Sequence, residues 1–315
     1  MTIKIAAKLR PFSHVPGAAC VIPGTSAVIE AFPTLLRIDG REIILNLTGP
    51  VKDFTLQQDL ERHCVFVFGT AKEGYFRLRI DGGSIQVEKG PLESEHIPIQ
   101  FVPNIPFERL SLGSHKALDW DLMQKRSDLK EILPLLFCLG QKVPLTPPQK
   151  LSGTARLLEL PTERKQLAEA LESFCKAAFT HMLVPRLIDD QHQGLVPEEP
   201  VTGNRFFLLQ EGAKMIRGLF FRQNERRLAL LPNLPISLDA GRMIGLKAPG
   251  IGEIDLEWSK KQLRRVILRA STPGEVLFDL PSAIKTFRAG KRRQKATEPL
   301  LLEAGKTYFL DRFEK

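Results

Sequence analysis

Residues 253–258 alternate without a break, with Ile254, Leu256 and Trp258 on one side of an extended chain and Glu253, Asp255 and Glu257 on the other. In the stretch that follows, Val266 and Leu268 fall on one side and Arg265 and Arg269 on the other. Because side chains repeat every two residues along a strand, a slip of one position turns the whole apolar set toward water, so a single register serves both segments. With a five-residue turn over 259–263, Leu256 opposes Val266, Ile254 opposes Leu268 and Trp258 opposes Arg264. The charged rows match in the same register, Glu257 against Arg265 and Glu253 against Arg269. Each such pair contributes roughly 0.2–1 kcal/mol. This part of the chain is therefore expected to be an antiparallel hairpin with one buried face, in which Arg265 and Arg269 serve as sheet partners rather than as free binding groups.

The same period governs the N-terminal hundred residues. Ala27 to Arg37 and Glu42 to Leu47 flank Asp39-Gly40, and Tyr75 to Ile80 and Ser84 to Val87 flank Asp81-Gly82-Gly83, both of which favour tight hairpin turns. Phe66, Phe68, Phe76, Leu78 and Ile80 alternate with smaller or polar residues, as in strands with one buried face. Pro98, Pro103 and Pro106 close this region.

From about His115 the spacing becomes helical. Leu118, Leu122 and Met123 make one short pattern and Leu129, Ile132, Leu133 and Leu136 a second, with Ser127 as N-cap, Gly140 as the stop and Pro134 expected to kink or end the helix. Beyond Pro144, Pro147 and Pro148, Thr162 and Glu163 open a third helix, and Leu167, Leu171, Phe174, Cys175, Ala178, Phe179 and Met182 form its core-facing stripe. Residues 189–204 read as a polar surface loop, and a last helix is expected over 206–220. The fold class that follows is mainly β with a helical middle, an α+β multidomain chain. Its expected division is an N-terminal antiparallel β-sandwich over 1–113, a helical region over 114–204, and a helix plus C-terminal β-sandwich over 205–315.

At 315 residues the chain is long enough for two or three domains and for ample core. Its longest apolar runs, Leu133 to Leu139 and Leu228 to Pro232, are too short to span a bilayer, and Lys8, Arg10, Ser13 and His14 interrupt any signal-peptide stretch, so a cytoplasmic location is expected. Cys20, Cys64, Cys138 and Cys175 are isolated and lack zinc-ligand spacing; buried reduced thiols are expected, with no metal and no cofactor. The net charge of +9 is uneven: residues 201–315 carry 22 Lys+Arg against 12 Asp+Glu, and the first 200 carry 23 against 24. Such asymmetry marks a surface for phosphate, nucleic acid, anionic lipid or an acidic protein.

Leu230-Leu231-Pro232-Asn233-Leu234-Pro235, then Gly245-Leu246-Lys247-Ala248, then Glu253 to Trp258 follow in an order and spacing that resemble the C-terminal β-domain of the family-95 glycoside hydrolases, the α-L-fucosidase group. The resemblance departs at Pro249, Gly250 and Ile251, where that family tends to carry Arg-Gly-Gly. It implies a terminal sandwich entered from a helix. In the family, catalysis belongs to a central barrel of twelve helices. About 90 residues separate the two β-regions here, room for three or four helices at 1.5 Å per residue, so the resemblance carries no catalytic residue into this chain.

The densest cluster of candidate catalytic groups is Asp189, Asp190, His192, Glu198 and Glu199, which sit in a polar loop where solvation alone explains them. Ser114, His115, Lys116, Asp119, Trp120 and Asp121 read as a helix start, with Trp120 packed rather than stacked on a sugar. The basic residues expected to remain unpaired form a rim of Lys260, Lys261 and Arg264 at one turn and Arg288, Lys291, Arg292, Arg293 and Lys295 at another. The leading expectation is a non-catalytic binding or scaffolding protein whose partner is a glycan or a protein. A glycan-active hydrolase with a site rebuilt between domains is the alternative, and nucleic-acid or anionic-surface binding through the basic third is the next. No oligomeric state follows from the sequence.

Overall fold

The computed structural model describes residues 2–5, 8–96, 107–113, 118–126, 128–151, 153–161, 163, 166–179 and 205–315. Turn residues cut the N-terminal region into short strands: β1 (Phe12–Ser13), β2 (Ala18–Val21), β3 (Val28–Phe32), β4 (Leu35–Ile38), β5 (Arg41–Ile44), β6 (Lys52–Asp59), β7 (Cys64–Ala71), β8 (Gly74–Ile80), β9 (Ser84–Lys89), β10 (Glu95–His96) and β11 (Arg109–Leu112). Strands β2 to β5 form one antiparallel meander, and β1-β6-β7-β8-β9-β10 form a second antiparallel sheet. Ile29 and Leu36 from the first and Leu56, Val67 and Leu78 from the second share one core. The Gln58 side chain donates across to the Val21 carbonyl at 2.7 Å.

Two local expectations change here. Ala27 to Arg37 is not one strand: β3 and β4 fold on each other with Phe32 opposite Leu35, because Pro33 has no N–H for a ladder. Phe66 and Phe68 do not share a face with Phe76, Leu78 and Ile80. Phe66 pairs with Arg79 and Phe68 with Arg77, whereas Val65 and Val67 pair with Ile80 and Leu78. Strand β7 is thus covered on both sides, its outer phenylalanines lying under the Arg77 guanidinium at 4.3 and 5.3 Å from the ring centroids.

The helices are α1 (Trp120–Arg126), α2 (Leu129–Gly140), α3 (Leu167–Phe179) and α4 (Arg205–Phe220). Asp128, not Ser127, caps α2 by accepting from the Lys130 N–H at 2.9 Å; Ser127 and Thr162 lie outside the described residues. Helix α2 neither stops at Pro134 nor loses its last turn there. All its residues but Lys130 are buried, and that packing offsets the one missing backbone bond. Gly140, at its end, meets the Leu209 backbone and the Ala213 methyl of α4 so closely that a Cβ would overlap both. No helix among the described residues is long and apolar enough to cross a membrane.

Helix α4 passes into β12 (Phe221–Asn224) with no connecting residue, followed by β13 (Arg227–Leu230), β14 (Gly241–Ala248), β15 (Gly252–Ser259), β16 (Gln262–Ala270), β17 (Gly274–Asp279), β18 (Thr286–Ala289), β19 (Arg292–Lys295), β20 (Leu300–Leu302) and β21 (Thr307–Glu314). One sheet runs β11-β14-β15-β16-β21-β18-β19 and the other β12-β13-β17-β20. Strand β11 leaves the N-terminal region to pair with β14, Arg109 to Leu112 against Ile244 to Gly241.

The Leu230–Pro235 run wraps the end of α4. The Leu231 N–H donates to the Phe220 carbonyl at 2.7 Å and the Asn233 N–H to the Leu219 carbonyl at 3.2 Å, so the carbonyls a helix end leaves open are satisfied. Trp258, 1% exposed, stacks on Phe220 with centroids 5.0 Å apart and donates its indole N–H to the Leu238 carbonyl at 3.0 Å. Gly241 is needed beside it, since any Cβ there would enter the indole ring.

The β15–β16 register is the expected one from Glu253 opposite Arg269 to Glu257 opposite Arg265. A bulge then shifts it, so Trp258 opposes Leu263 rather than Arg264, and the turn is two residues long. Those residues, Lys260 and Lys261, take left-handed φ of 52° and 60°, which a two-residue hairpin demands and a lysine resists.

Replacing the pair as Lys260→Asn with Lys261→Gly is expected to stabilise the fold by about 0.5–1 kcal/mol in urea unfolding. Trp258→Ala is expected to cost about 3–5 kcal/mol in the same measurement. An unchanged midpoint for Trp258→Ala would contradict its place as the central anchor.

Candidate functional site

Glu108 stands where β11, α2, α4 and β14 meet. Its carboxylate accepts from the Arg217 guanidinium through Nε at 2.7 Å and Nη2 at 3.0 Å, and from the Lys247 N–H at 2.8 Å. Its backbone exchanges hydrogen bonds with the Gln141 side chain, the Glu108 N–H donating to Oε1 at 2.9 Å and Nε2 donating to the Glu108 carbonyl at 3.1 Å. Gln141 Nε2 also donates to the Phe137 carbonyl at 2.9 Å, closing the end of α2. Arg217 reaches on to the Lys247 carbonyl at 2.7 Å and lies over the Phe221 ring at 4.8 Å.

Above this network, between α2 and α4, opens a cleft of about 290 Å³. Phe137, Gly140, Val143 and Ala213 give it an apolar wall, and Glu108 and Arg217 close one end. Leu145, in the segment from Pro144 to Thr146, lines it as well. Gln210 fixes that segment to α4, accepting from the Thr146 N–H at 3.0 Å and hydroxyl at 2.8 Å and donating to the Pro144 carbonyl. Leu145, 95% exposed, is thereby presented to solvent by a tethered strap rather than a loose one.

Beside the cleft, Lys142 is buried, with Nζ 2.5 Å from His63 Nε2 and 3.7 Å from the centre of the Phe107 ring. Burial pulls its ammonium down to about 8. The Cys138 thiol nearby is pushed up to about 12 by burial, and Cys64 up to about 11. All four cysteines are buried and free, inert packing groups rather than nucleophiles.

The sequence-derived candidates fall elsewhere. Asp189, Asp190, His192, Glu198 and Glu199 lie outside the described residues, as do Ser114, His115 and Lys116. Asp119 acts as the helix-start reading requires, accepting from the Leu122 N–H at 3.1 Å, and Trp120 is buried. The basic rim does not hold together as expected. Arg288 binds both carboxylate oxygens of Asp311 at 2.7 and 2.6 Å, Arg293 pairs with Glu314 at 2.8 Å and Lys295 with Glu298 at 3.2 Å. Arg264 donates to the Ser259 hydroxyl at 2.9 Å. Lys260, Lys261, Lys291 and Arg292 make no ion pair among the described residues.

The register also separates the two turns. Arg265, Asp311 and Arg288 stand in one row across β16, β21 and β18. Lys260 and Lys261 lie off that row toward Glu314, and Lys291 lies off it toward Thr307. Arg265 and Arg269 are committed as expected, Arg265 to Glu257 and Arg269 to Asp255 at 2.6 Å and Glu253 at 3.1 Å. Among the described residues no group of three or more His, Cys, Asp or Glu could hold a metal ion. Sequence reasoning missed Glu108, Gln141, Lys142 and Arg217, because each is an isolated polar residue that only the meeting of distant segments gives a role.

Residues 223–310, from within β12 to within β21, match the family model described as "Glycoside hydrolase family 95, C-terminal domain". The match covers only that part of the chain, and it takes in the wrap around α4, Trp258 and the β15–β16 hairpin. A comparison with curated proteins finds no match.

Glu108→Ala and Arg217→Ala are each expected to cost about 2–4 kcal/mol, since either change strands a half-buried charge. The double variant should lose less than the sum, by about 1–3 kcal/mol in a double-mutant cycle. Strict additivity would show that the pair does not hold these four segments together.

Proposed function

We propose that this is a non-catalytic binding or scaffolding protein, in which a glycosidase-derived β-domain supports a docking cleft between α2 and α4. The observation that carries this reading is the state of Glu108. Glycoside hydrolysis uses two carboxyl groups facing each other across a bond, one of them free to give a proton. Among the described residues Glu108 is the one carboxylate lining this cleft, and its two oxygens already accept three hydrogen bonds, from Arg217 twice and from the Lys247 N–H. Such a cleft is built to hold a shape and not to move a proton.

Between the two partner classes, a protein fits better than a glycan. Sugars are held by exposed aromatic faces, and Phe137, the aromatic residue of the cleft, is 1% exposed. Leu145 on a tethered strap offers the opposite chemistry, an apolar knob set beside an apolar wall. Nucleic-acid binding through the rim expected from the sequence is disfavoured, because Arg288, Arg293 and Lys295 are occupied by carboxylates and Lys260 and Lys261 stand on a different turn from Lys291. Free, buried thiols suit a reducing compartment and support a cytoplasmic location.

The test combines an aryl-glycoside screen with glycan and peptide arrays on the purified protein and on Leu145→Asp, a substitution whose exposed site leaves the fold intact. The expected result is no turnover, with array binding to peptides that drops at least about tenfold in Leu145→Asp, the loss of one buried apolar side chain. Turnover that disappears in Glu108→Gln would overturn the non-catalytic reading, and glycan binding sensitive to Leu145 would replace the protein partner by a sugar.

A further inference from the structure

We propose that the occupant of the cleft between α2 and α4 is Leu145 of a second copy of this chain, so that two molecules exchange their Leu145 side chains about a two-fold axis. The inference rests on the docking reading given above and names its partner.

The knob is shaped before any partner arrives. Leu145 stands between Pro144 and the Pro147-Pro148 pair. Prolines fix their own φ and bar the residue before them from helical backbone, so the strap has few other shapes to adopt. Gln210 ties it to α4 on both sides of Leu145, at the Pro144 carbonyl and at the Thr146 N–H and hydroxyl. A leucine held this way and 95% exposed gives up little freedom when it is buried, and lost freedom is the cost that most opposes docking.

The receiving site lies beside it and has matching chemistry. A cleft of about 290 Å³ walled by Phe137, Val143 and Ala213 is small for an organic ligand, whose pockets run from about 300 to 1,000 Å³, and suits one aliphatic side chain. Many partners could fill such a cleft, and many clefts could take such a knob. A surface that carries both side by side fits a second copy of itself, because a two-fold axis between knob and cleft sets each knob over the other molecule's cleft.

The charges on α4 obey the same symmetry. Along this helix the strap is tied at Gln210 and the cleft is closed at Arg217, so the axis crosses between Gly212 and Ala213. About that point, in two antiparallel helices, Glu211 of each molecule faces Lys214 of the other. Within one chain the two pair at 2.6 Å on the solvent side of α4, and Lys214 also lines the cleft. A stripe that reads negative then positive is its own complement when reversed.

The experiment is sedimentation velocity of the full chain across a wide range of concentration, on the native protein, Leu145→Asp, which removes the knob, and Lys214→Trp, which puts bulk across the cleft mouth and keeps the knob. Both positions are exposed. The native protein is expected to dimerise reversibly. Each variant should raise the dissociation constant by about a hundredfold or more, because two symmetric leucine contacts are lost, each worth about tenfold or more. Mixed in equal amounts, the two variants should pair with each other more tightly than either pairs with itself, since one knob-in-cleft contact survives. If Lys214→Trp fails to fold, the charges decide: Glu211→Lys should weaken the dimer, and Glu211→Lys with Lys214→Glu in the same chain should restore it. A dimer indifferent to Leu145→Asp, or a mixture no tighter than its parts, overturns the exchange. A native monomer that still binds array peptides through Leu145 overturns the exchange and leaves the docking reading in place, whereas a native monomer that binds no peptide overturns both.

Discussion

Helix α4 becomes strand β12 between Phe220 and Phe221 with no residue to act as a hinge, and most of the rest of the fold depends on that junction. A helix that ends inside a sheet leaves its last carbonyls without partners in a place water cannot reach. The Leu230–Pro235 segment meets that need by bringing the Leu231 and Asn233 N–H groups back to the helix end. Trp258 then lies against Phe220 and against the loop that follows, so helix, wrap and sheet are packed as one object.

At this junction the terminal β-domain forms the base against which α4 ends. Its outer charges form a ladder in which Arg242, Glu257 and Arg265 bind in succession, and Arg288 takes both oxygens of Asp311. Charges arranged this way stabilise a sheet across its strands. The cleft proposed as a docking site lies in the helical middle, where α2 and α4 separate above Glu108 and where the terminal domain contributes the Lys247 backbone that holds that carboxylate in place. Within the last third, carboxylates of its own strands engage Arg227, Arg242, Arg265, Arg269, Arg288 and Arg293, while the net basic excess stays on the remaining cations.

Much of the C-terminal architecture was legible because it is local. The pairing of Glu253 with Arg269 through Glu257 with Arg265 follows from alternation alone, and the helix before Phe220 from apolar spacing. The same reasoning placed Trp258 opposite Arg264 because periodicity cannot reveal a bulge, which inserts one residue without changing the composition around it. Pro33 could have divided β3 from β4, being a residue that no interior strand accepts. The partnership of β11 with β14 joins residues more than 120 apart in the chain, and the burial of Lys142 reverses what a lysine ordinarily does. Neither leaves a local trace, which is why the cleft and its network had to be read from the fold.

The central claim is that the family-95-like β-domain and the helical middle are one cooperative unit joined at Phe220, Trp258 and Glu108. Native-state hydrogen exchange in low urea measures this directly by giving an opening free energy for each segment. A joined unit predicts that amides of α4, β14 and β15 open together, with the same free energy and the same urea dependence. Opening of β14 and β15 while α4 stays closed, or the reverse, would contradict it.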